Sequence, residues 1–321
     1  MNVRAKKLKN EKAFETLGIK EVFLYKLRDL ISGQAVTKEP PHIPDFNLLE
    51  TVKPFGSVGS YFMGIFSNTK EEKVFVKTWR GNHKDLNYLT LINEISFYKF
   101  FEKMSISQIK TPKIRAIHNK SSELSVVYEY IEGKKLEESS TELKLKTYWA
   151  VISFLDNISA DKNLLINFPK RTYFSYLVTF LLILPLALIN YPSKAAKLIS
   201  SGILFTKLIT IKNNFLPLSL CHRDLNMRNI LISNNTSYLI DFQYTLLTLK
   251  EFEIASTIRS HIREKEFLEK MLAKVRNSNS FNTQILRQML IYYAIMGLCD
   301  KRFRKERVED FFDCLNLASN I

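Results

Sequence analysis

The sequence has few of the residues that cross-link or interrupt a fold. Its 321 residues include only 3 cysteines, 9 glycines and 9 prolines. Cys221, Cys299 and Cys314 form no Cys-x-x-Cys pair and lack metal-ligand spacing, which indicates free thiols in a reducing compartment. The scarcity of glycine and proline excludes a collagen-like or linker-rich chain.

The sequence also lacks an apolar signal near its start and an obvious nucleic-acid motif. Residues 1–20 are charged and contain no secretory stretch, which predicts a cytoplasmic protein. No basic motif interleaved with aromatic residues appears, so we expect no nucleic-acid partner.

The composition that remains is that of a soluble globular protein. Hydrophobic residues make up 46% and charged residues 25%, and the length suggests two lobes. The net charge of +15, from 47 Lys+Arg against 32 Asp+Glu, attracts anions such as nucleotides, phosphorylated sugars or lipid headgroups.

The patterning divides the chain into three parts. Residues 1–35 have a loose helical stripe, and prolines at 40, 41 and 44 then break the helix, which predicts a helical extension and linker over residues 1–45. Residues 46–133 alternate like strands around one helix at 86–104. Residues 134–321 are mainly helical, apart from short strands around 221–242.

One apolar segment, residues 174–189, has no charge and resembles a short membrane span. A spanning helix needs about 20 apolar residues, and Pro185 interrupts this one. A crossing here would also separate the motifs on either side of it. We therefore expect a buried or interfacial helix, with peripheral membrane contact through residues 174–212, where lysines follow the apolar stretch.

The most specific motif lies at residues 221–232. It reads His222-x-Asp224-x-x-x-x-Asn229, followed by an apolar strand, the turn Asn234-Asn235, a second apolar strand and Asp241-Phe242. This resembles the catalytic loop and metal-binding strand of the protein-kinase-like superfamily. The resemblance implies a bilobal α+β kinase-like fold, with a small antiparallel sheet and one main helix in the first lobe and a larger, mainly helical second lobe.

Phosphoryl transfer explains why these three residues fit together. Asp224 is expected to orient an acceptor hydroxyl and take its proton, which typically contributes about 10²–10⁴-fold. Asn229 and Asp241 offer hard oxygen ligands for Mg²⁺ bridging the phosphates of ATP. We therefore predict Asp224, Asn229 and Asp241 as the catalytic core, with Asn229 and Asp241 as metal ligands.

The first half of the chain supplies the nucleotide-binding residues that the resemblance implies. Lys77, on a predicted strand, resembles the lysine that contacts the α- and β-phosphates. Glu94, 17 residues later on the predicted helix, resembles its partner, with Glu102 as the alternative. The remaining implied nucleotide contacts are a partial glycine loop and a hinge strand: Gly56, Gly59, Ser60, Glu129 and Ile131.

The sequence after Asp241 indicates which branch of the superfamily the chain resembles more. Gln243 stands where protein kinases have the glycine of Asp-Phe-Gly, and the helix beginning near Glu251 leaves no room for a peptide-binding activation segment. The pattern is more similar to the aminoglycoside phosphotransferase and choline kinase group, with Glu253-Ile254-Ala255 at its Asp-Leu-Ala-like position. That group usually has glycine where this chain has Arg223, which is closer to protein kinases or lipopolysaccharide core kinases.

The resemblance implies an ATP-dependent O-phosphotransferase that acts on a hydroxyl of a small molecule or saccharide. An antibiotic, a choline-like base, a sugar and a core saccharide all stay open as acceptors. The alternatives are an atypical protein kinase and a catalytically silent kinase-fold binding module. A basic run near the end of the chain is either a solvated helix face or a clamp for an anionic or lipid-linked acceptor; it comprises Lys301, Arg302, Arg304, Lys305 and Arg307.

Overall fold

The computed structural model describes residues 39–52, 61–81, 86–102, 109–159, 168–209, 216–299 and 305–321. The strands in these ranges are β1 (Asn47–Thr51), β2 (Tyr61–Ser67), β3 (Lys73–Arg80), β4 (Ile109–Lys110), β5 (Ile114–Lys120), β6 (Glu123–Glu129), β7 (Lys134–Lys135), β8 (Ser219–Cys221), β9 (Ile230–Ser233), β10 (Thr236–Leu239) and β11 (Leu246–Thr248). The helices are α1 (Leu86–Glu102), α2 (Thr141–Ser159), α3 (Tyr173–Asn190), α4 (Ala195–Lys207), α5 (Lys250–Ser260), α6 (Lys265–Arg276), α7 (Thr283–Leu298) and α8 (Lys305–Asn320).

The first half of the chain forms an antiparallel sheet with strand order β1-β2-β3-β6-β5. Its strands alternate between the two faces, so Val74 and Val76 are buried with Phe62 and Phe66 from β2 in a small core. The opposite face of β3 carries Lys77, which pairs in register with Met63 on β2 and Val126 on β6. The sheet therefore presents the buried Lys77 from a central strand, on the face away from the small core.

Helix α1 connects this sheet to the second half of the chain through aromatic packing. Phe97 stacks with Phe242 at a centroid distance of 6.2 Å, and Tyr98 meets the same ring edge-on at 5.1 Å. Phe101 lies 5.0 Å from it. Because Phe242 directly follows Asp241, this packing holds α1 against the predicted metal-binding segment.

The second half is mainly helical, and its strands form two small sheets, one of which also includes β4 and β7 from before α2. One has the strand order β4-β10-β9-β7, and the other pairs β11 with β8. In the first of them, β4 runs parallel to β10. The predicted α+β kinase-like fold, with its antiparallel sheet, single main helix and helical second lobe, is confirmed.

The predicted domain boundaries, 1–45, 46–133 and 134–321, stay a prediction. The helical extension lies outside the described residues up to residue 38. At the second boundary, Gly133 lies against β9, where an added Cβ would come within 2.8 Å of the Ile232 carbonyl oxygen. Ser233 Oγ donates to the Glu132 carbonyl at 2.7 Å, so this connection is attached directly to the hairpin of β9 and β10.

Candidate active site

The hairpin of β9 and β10 places two of the predicted residues side by side. Asn234 and Asn235 at its turn have left-handed φ values of 48° and 59°, as a two-residue hairpin turn requires and asparagine tolerates. Asn229 directly precedes β9, and Ile240 N donates to Asn229 O at 3.0 Å beyond the end of β10. Asp241 follows with a left-handed φ of 66°. The hairpin thus brings Asn229 and Asp241 to one end.

Lys77 joins the two halves of the chain at this end of the hairpin. Its Nζ donates to Glu94 Oε2 at 2.8 Å and to Asp241 Oδ1 at 2.9 Å. Lys77 and Glu94 are buried, while the Asp241 side chain is 35% exposed. The predicted partner Glu94, and not the alternative Glu102, contacts the lysine.

The charges of this cluster depend on one another. Burial alone would lower the pKa of Lys77, but the charges of Asp241 and Glu94 outweigh burial and raise it above its ordinary value. Burial raises the pKa of Glu94, and the neighbouring charge of Lys77 opposes that rise. Lys77 therefore stays cationic, and its charge is what makes the burial of Glu94 tolerable.

Asp224 and Asn229 form the other side of the site. Asn229 Nδ2 donates to Asp224 O at 2.8 Å and to Asp224 Oδ2 at 3.1 Å. Burial raises the pKa of Asp224 to about 6, and the nearby charge of Asp241 adds to the effect. Because the amide nitrogen of Asn229 faces Asp224, its amide oxygen is the atom left to act as a ligand. The structure therefore brings Asp224, Asn229, Asp241, Lys77 and Glu94 together.

Two further residues hold Asp241 and its loop in place and were not predicted as site residues. Asp241 N donates to Tyr98 Oη at 3.2 Å, and His222 Nε2 donates to the carbonyl of Ile240 at 2.9 Å. Burial lowers the pKa of His222 to about 4, so the imidazole is a neutral structural donor. The sequence motif contained His222, but the contribution of Tyr98 depends on the packing of α1.

Arg223 adopts a backbone conformation that is unusual for its residue type. Its φ is 67°, in the left-handed region, and Glu253 Oε2 on α5 accepts a hydrogen bond from Arg223 N at 2.9 Å. Burial raises the pKa of Glu253 to about 7, while the backbone donors of Arg223 and His222 oppose the rise. Glu253 thus anchors the loop before Asp224, in the position where the resemblance expects an aspartate.

The left-handed φ of Arg223 offers a reason why the group that the chain resembles usually has glycine at this position, and two variants test it. We expect the Arg223→Gly variant to be more stable than the Arg223→Ala variant by about 1 kcal/mol, since only alanine keeps a Cβ that left-handed backbone disfavours. Both variants remove the same guanidinium from Phe252, over whose ring it lies at 5.0 Å. Urea unfolding measures the difference. Equal midpoints, or a more stable alanine variant, would contradict the strain.

The remaining predicted nucleotide contacts are only partly visible. Gly56, Gly59 and Ser60 lie outside the described residues. Glu129 ends β6, and its backbone N–H donates to Lys113 O at 2.8 Å, so that N–H is not available to adenine. Ile131 lies just beyond, in the connection to β7.

The side-chain oxygens of Asn229 and Asp241 suit a Mg²⁺ ion that is bound together with a phosphate group. Within the described ranges, no group of three or more His, Cys, Asp or Glu side chains could enclose a metal ion. Mg²⁺ is commonly bound by one or two protein oxygens plus substrate phosphates, with waters completing the octahedron. One carboxylate from Asp241 and one amide oxygen from Asn229 fit that pattern.

A comparison with protein-family models decides the family. Residues 65–277 match the model described as the phosphotransferase enzyme family, APH. The chain belongs to the phosphotransferase enzyme family. The predicted resemblance to the aminoglycoside phosphotransferase and choline kinase group is thereby confirmed, and with it the general class of activity. No curated protein sequence matches the chain.

Solved structures agree on the fold of this phosphotransferase. It resembles a choline kinase from Cryptosporidium parvum Iowa II, with a TM-score of 0.57 and 13% identity over 84% of this chain and 89% of the other. It also resembles an amicoumacin kinase in complex with AMP-PNP and Ca²⁺, with a TM-score of 0.52 and 12% identity over 94% and 96% of the two chains. At these identities the similarity concerns the fold.

Proposed function

We propose that this phosphotransferase transfers the γ-phosphate of ATP, with Mg²⁺, to a hydroxyl of a small molecule or saccharide. The observation that carries the proposal is the contact of Lys77 with both Glu94 and Asp241, beside Asp224 and Asn229. Lysine, metal ligands and a carboxylate base within one site are the groups that phosphoryl transfer needs.

Each residue then has a distinct task. Lys77 binds phosphate oxygens and is held by Glu94. Asn229 and Asp241 would hold Mg²⁺, which neutralises charge on the phosphates when it is bound. Asp224 orients the acceptor hydroxyl and takes its proton, and its raised pKa of about 6 makes it a better proton acceptor than an ordinary aspartate. The complex of a structural relative with AMP-PNP is consistent with a nucleotide here.

A short connection supports a small acceptor over a protein substrate. Asp241 is followed by a single helical turn, Phe242–Tyr244, then by β11, and α5 begins at Lys250. A peptide-binding segment has no room between Asp241 and Lys250. The lack of a peptide-binding segment between these two residues also favours a substrate that enters beside the helices of the second half.

Two arginine side chains interact electrostatically with Asp224, and their positive charge favours an anionic acceptor beside this residue. Arg259 lies over the rings of Tyr293 and Phe311, and its buried Nε has no hydrogen-bond partner. Among the described residues no carboxylate pairs with its guanidinium. The charge of Arg259 opposes the rise that burial causes in the pKa of Asp224. Burial lowers the pKa of Arg307, and the charge of Arg259 lowers it further.

We therefore propose an acceptor with a phosphate or carboxylate group, such as an acidic saccharide, including a lipid-linked one. A choline-like base or an aminoglycoside carries positive charge and would be repelled by these guanidiniums. Lys301, Arg302 and Arg304 of the basic run lie outside the described residues. We also propose that the protein is cytoplasmic, since Cys221, Cys299 and Cys314 form no disulfide within the described residues and the proposed reaction uses ATP.

The decisive experiment incubates the protein and Mg²⁺ with γ-labelled ATP and fractionated metabolites and lipids. We expect label in a small anionic or lipid fraction, and about a hundredfold less or weaker still with the Asp224→Asn variant. Label on protein would instead support an atypical protein kinase. No labelled product, together with no thermal stabilisation by ATP and Mg²⁺, would indicate a silent binding module.

A further inference from the structure

The α3–α4 hairpin exposes apolar side chains that a soluble fold would ordinarily cover. Their exposed fractions range from 42% to 70%. We name this set the α3–α4 apolar surface; it comprises Phe174, Leu181, Leu182, Ile189, Ile199 and Ile203. Contiguous exposed apolar side chains on soluble proteins usually mark an interaction site.

The exposed residues of α3 follow helical spacing. Residues 174, 181, 182 and 189 recur at seven- and eight-residue intervals and so share one face. The opposite face, which includes Tyr176, Phe180 and Ile183, is buried. Because both faces are apolar, composition alone makes this segment resemble a membrane span, and it is the one helix in the described ranges long and apolar enough to cross a bilayer.

Contacts with the rest of the protein show that α3 belongs to the fold. Tyr176 Oη lies 2.7 Å from Thr248 Oγ1. At the other end, Asn190 Nδ2 donates to the carbonyls of Leu298 and Cys299 at 3.1 and 2.9 Å. A spanning position would break these buried polar contacts, whereas a position flat on a bilayer keeps all of them.

The charge around the α3–α4 apolar surface indicates which kind of partner covers it. Residues 162–223 contain no aspartate or glutamate and eight lysines or arginines. Lys194 and Lys207, at the two ends of α4, are exposed. Lysines flanking exposed apolar side chains are typical of helices that lie in the interface of anionic membranes.

We propose that the α3–α4 apolar surface docks on an anionic lipid bilayer, with α3 parallel to the membrane. A second copy of the chain fits less well, because it would bring the same positive charges together. Through its buried face, α3 contacts β11, since Thr248 Oγ1 lies against Tyr176 and donates to the carbonyl of Arg171, and β11 pairs with β8, the strand before His222. The inference goes beyond the proposed reaction and does not depend on it.

The test is co-sedimentation of the full chain with vesicles, without ATP. We expect binding to vesicles of phosphatidylcholine with phosphatidylglycerol, weaker binding to phosphatidylcholine alone, and release as salt rises. The double variant Leu181→Gln/Ile189→Gln should bind about tenfold more weakly or worse, because each apolar group buried in lipid contributes severalfold. Both side chains are exposed, so the fold should be unaffected.

A matched control separates this surface from general hydrophobicity. Leu49 on β1 is 60% exposed, and Leu49→Gln should bind vesicles like the wild type. The variant Lys194→Gln/Lys207→Gln should lose the preference for anionic vesicles. Wild-type protein that stays in the supernatant with both vesicle types would overturn the proposal, as would equal loss in the Leu49 control.

Two further measurements distinguish the rival explanations. If sedimentation equilibrium shows a dimer that the Leu181→Gln/Ile189→Gln variant dissociates, the surface joins two copies and the membrane proposal is overturned. Repeating the vesicle assay with Asp224→Asn should give unchanged binding. Membrane binding and phosphoryl transfer can therefore fail separately.

Discussion

The Asp224→Asn variant should lose phosphoryl transfer by about 10²–10⁴-fold, the contribution typical of a positioned acid–base group. Asn229 Nδ2 donates to Asp224 Oδ2 at 3.1 Å, which fixes the carboxylate in place. Asparagine has nearly the same shape and cannot accept the hydroxyl proton. The loss should therefore lie in turnover, while the affinity for ATP and Mg²⁺ stays close to that of the wild type.

Single-turnover kinetics with the acceptor identified by labelling measures this loss, and nucleotide titration measures binding. The matched control is Asp45→Asn. Asp45 is exposed and has a left-handed φ of 66°, a conformation that asparagine adopts readily, so both its stability and its activity should be unchanged. Turnover by Asp224→Asn within a few-fold of the wild type would exclude Asp224 as the base.

Local sequence signals predicted the parts of the site that depend on short-range structure. Asn234-Asn235 between two apolar runs indicated the hairpin, and both residues adopt the left-handed backbone that this turn requires. The family resemblance, together with the predicted strand and helix, paired Lys77 with Glu94, and the two side chains form an ion pair. In each case the pattern of one or two neighbouring elements determines the geometry.

The parts that local sequence patterns alone could not predict depend on contacts between distant segments. Lys77 and Asp241 are 164 positions apart, and their contact requires α1 to pack on Phe242. The parallel pairing of β4 with β10 leaves no sequence pattern, because both strands are short. In α3 both faces are apolar, so composition could not show which face the protein covers.

Loss of the lysine should damage both stability and activity. In the Lys77→Met variant Glu94 stays buried without its cation, and unpaired buried charges of this kind cost about 3–5 kcal/mol of unfolding free energy. Without Lys77, burial raises the pKa of Glu94 further, so the folded state binds the proton more tightly than the unfolded chain. The loss of unfolding free energy relative to the wild type should therefore grow as the pH rises above the ordinary glutamate pKa. Urea unfolding at two pH values can measure it.

The double variant Lys77→Met/Glu94→Gln separates the two roles of the lysine. Replacing both charges by neutral groups removes the uncompensated carboxylate, so much of the lost stability should return and the two substitutions should be strongly non-additive. Phosphoryl transfer should not return, because methionine offers no positive charge to the phosphates of ATP. Recovery of stability without activity would assign Lys77 a direct part in nucleotide binding. Recovery of both would reduce it to the partner of a buried glutamate, and the nucleotide would then have to be held by other groups.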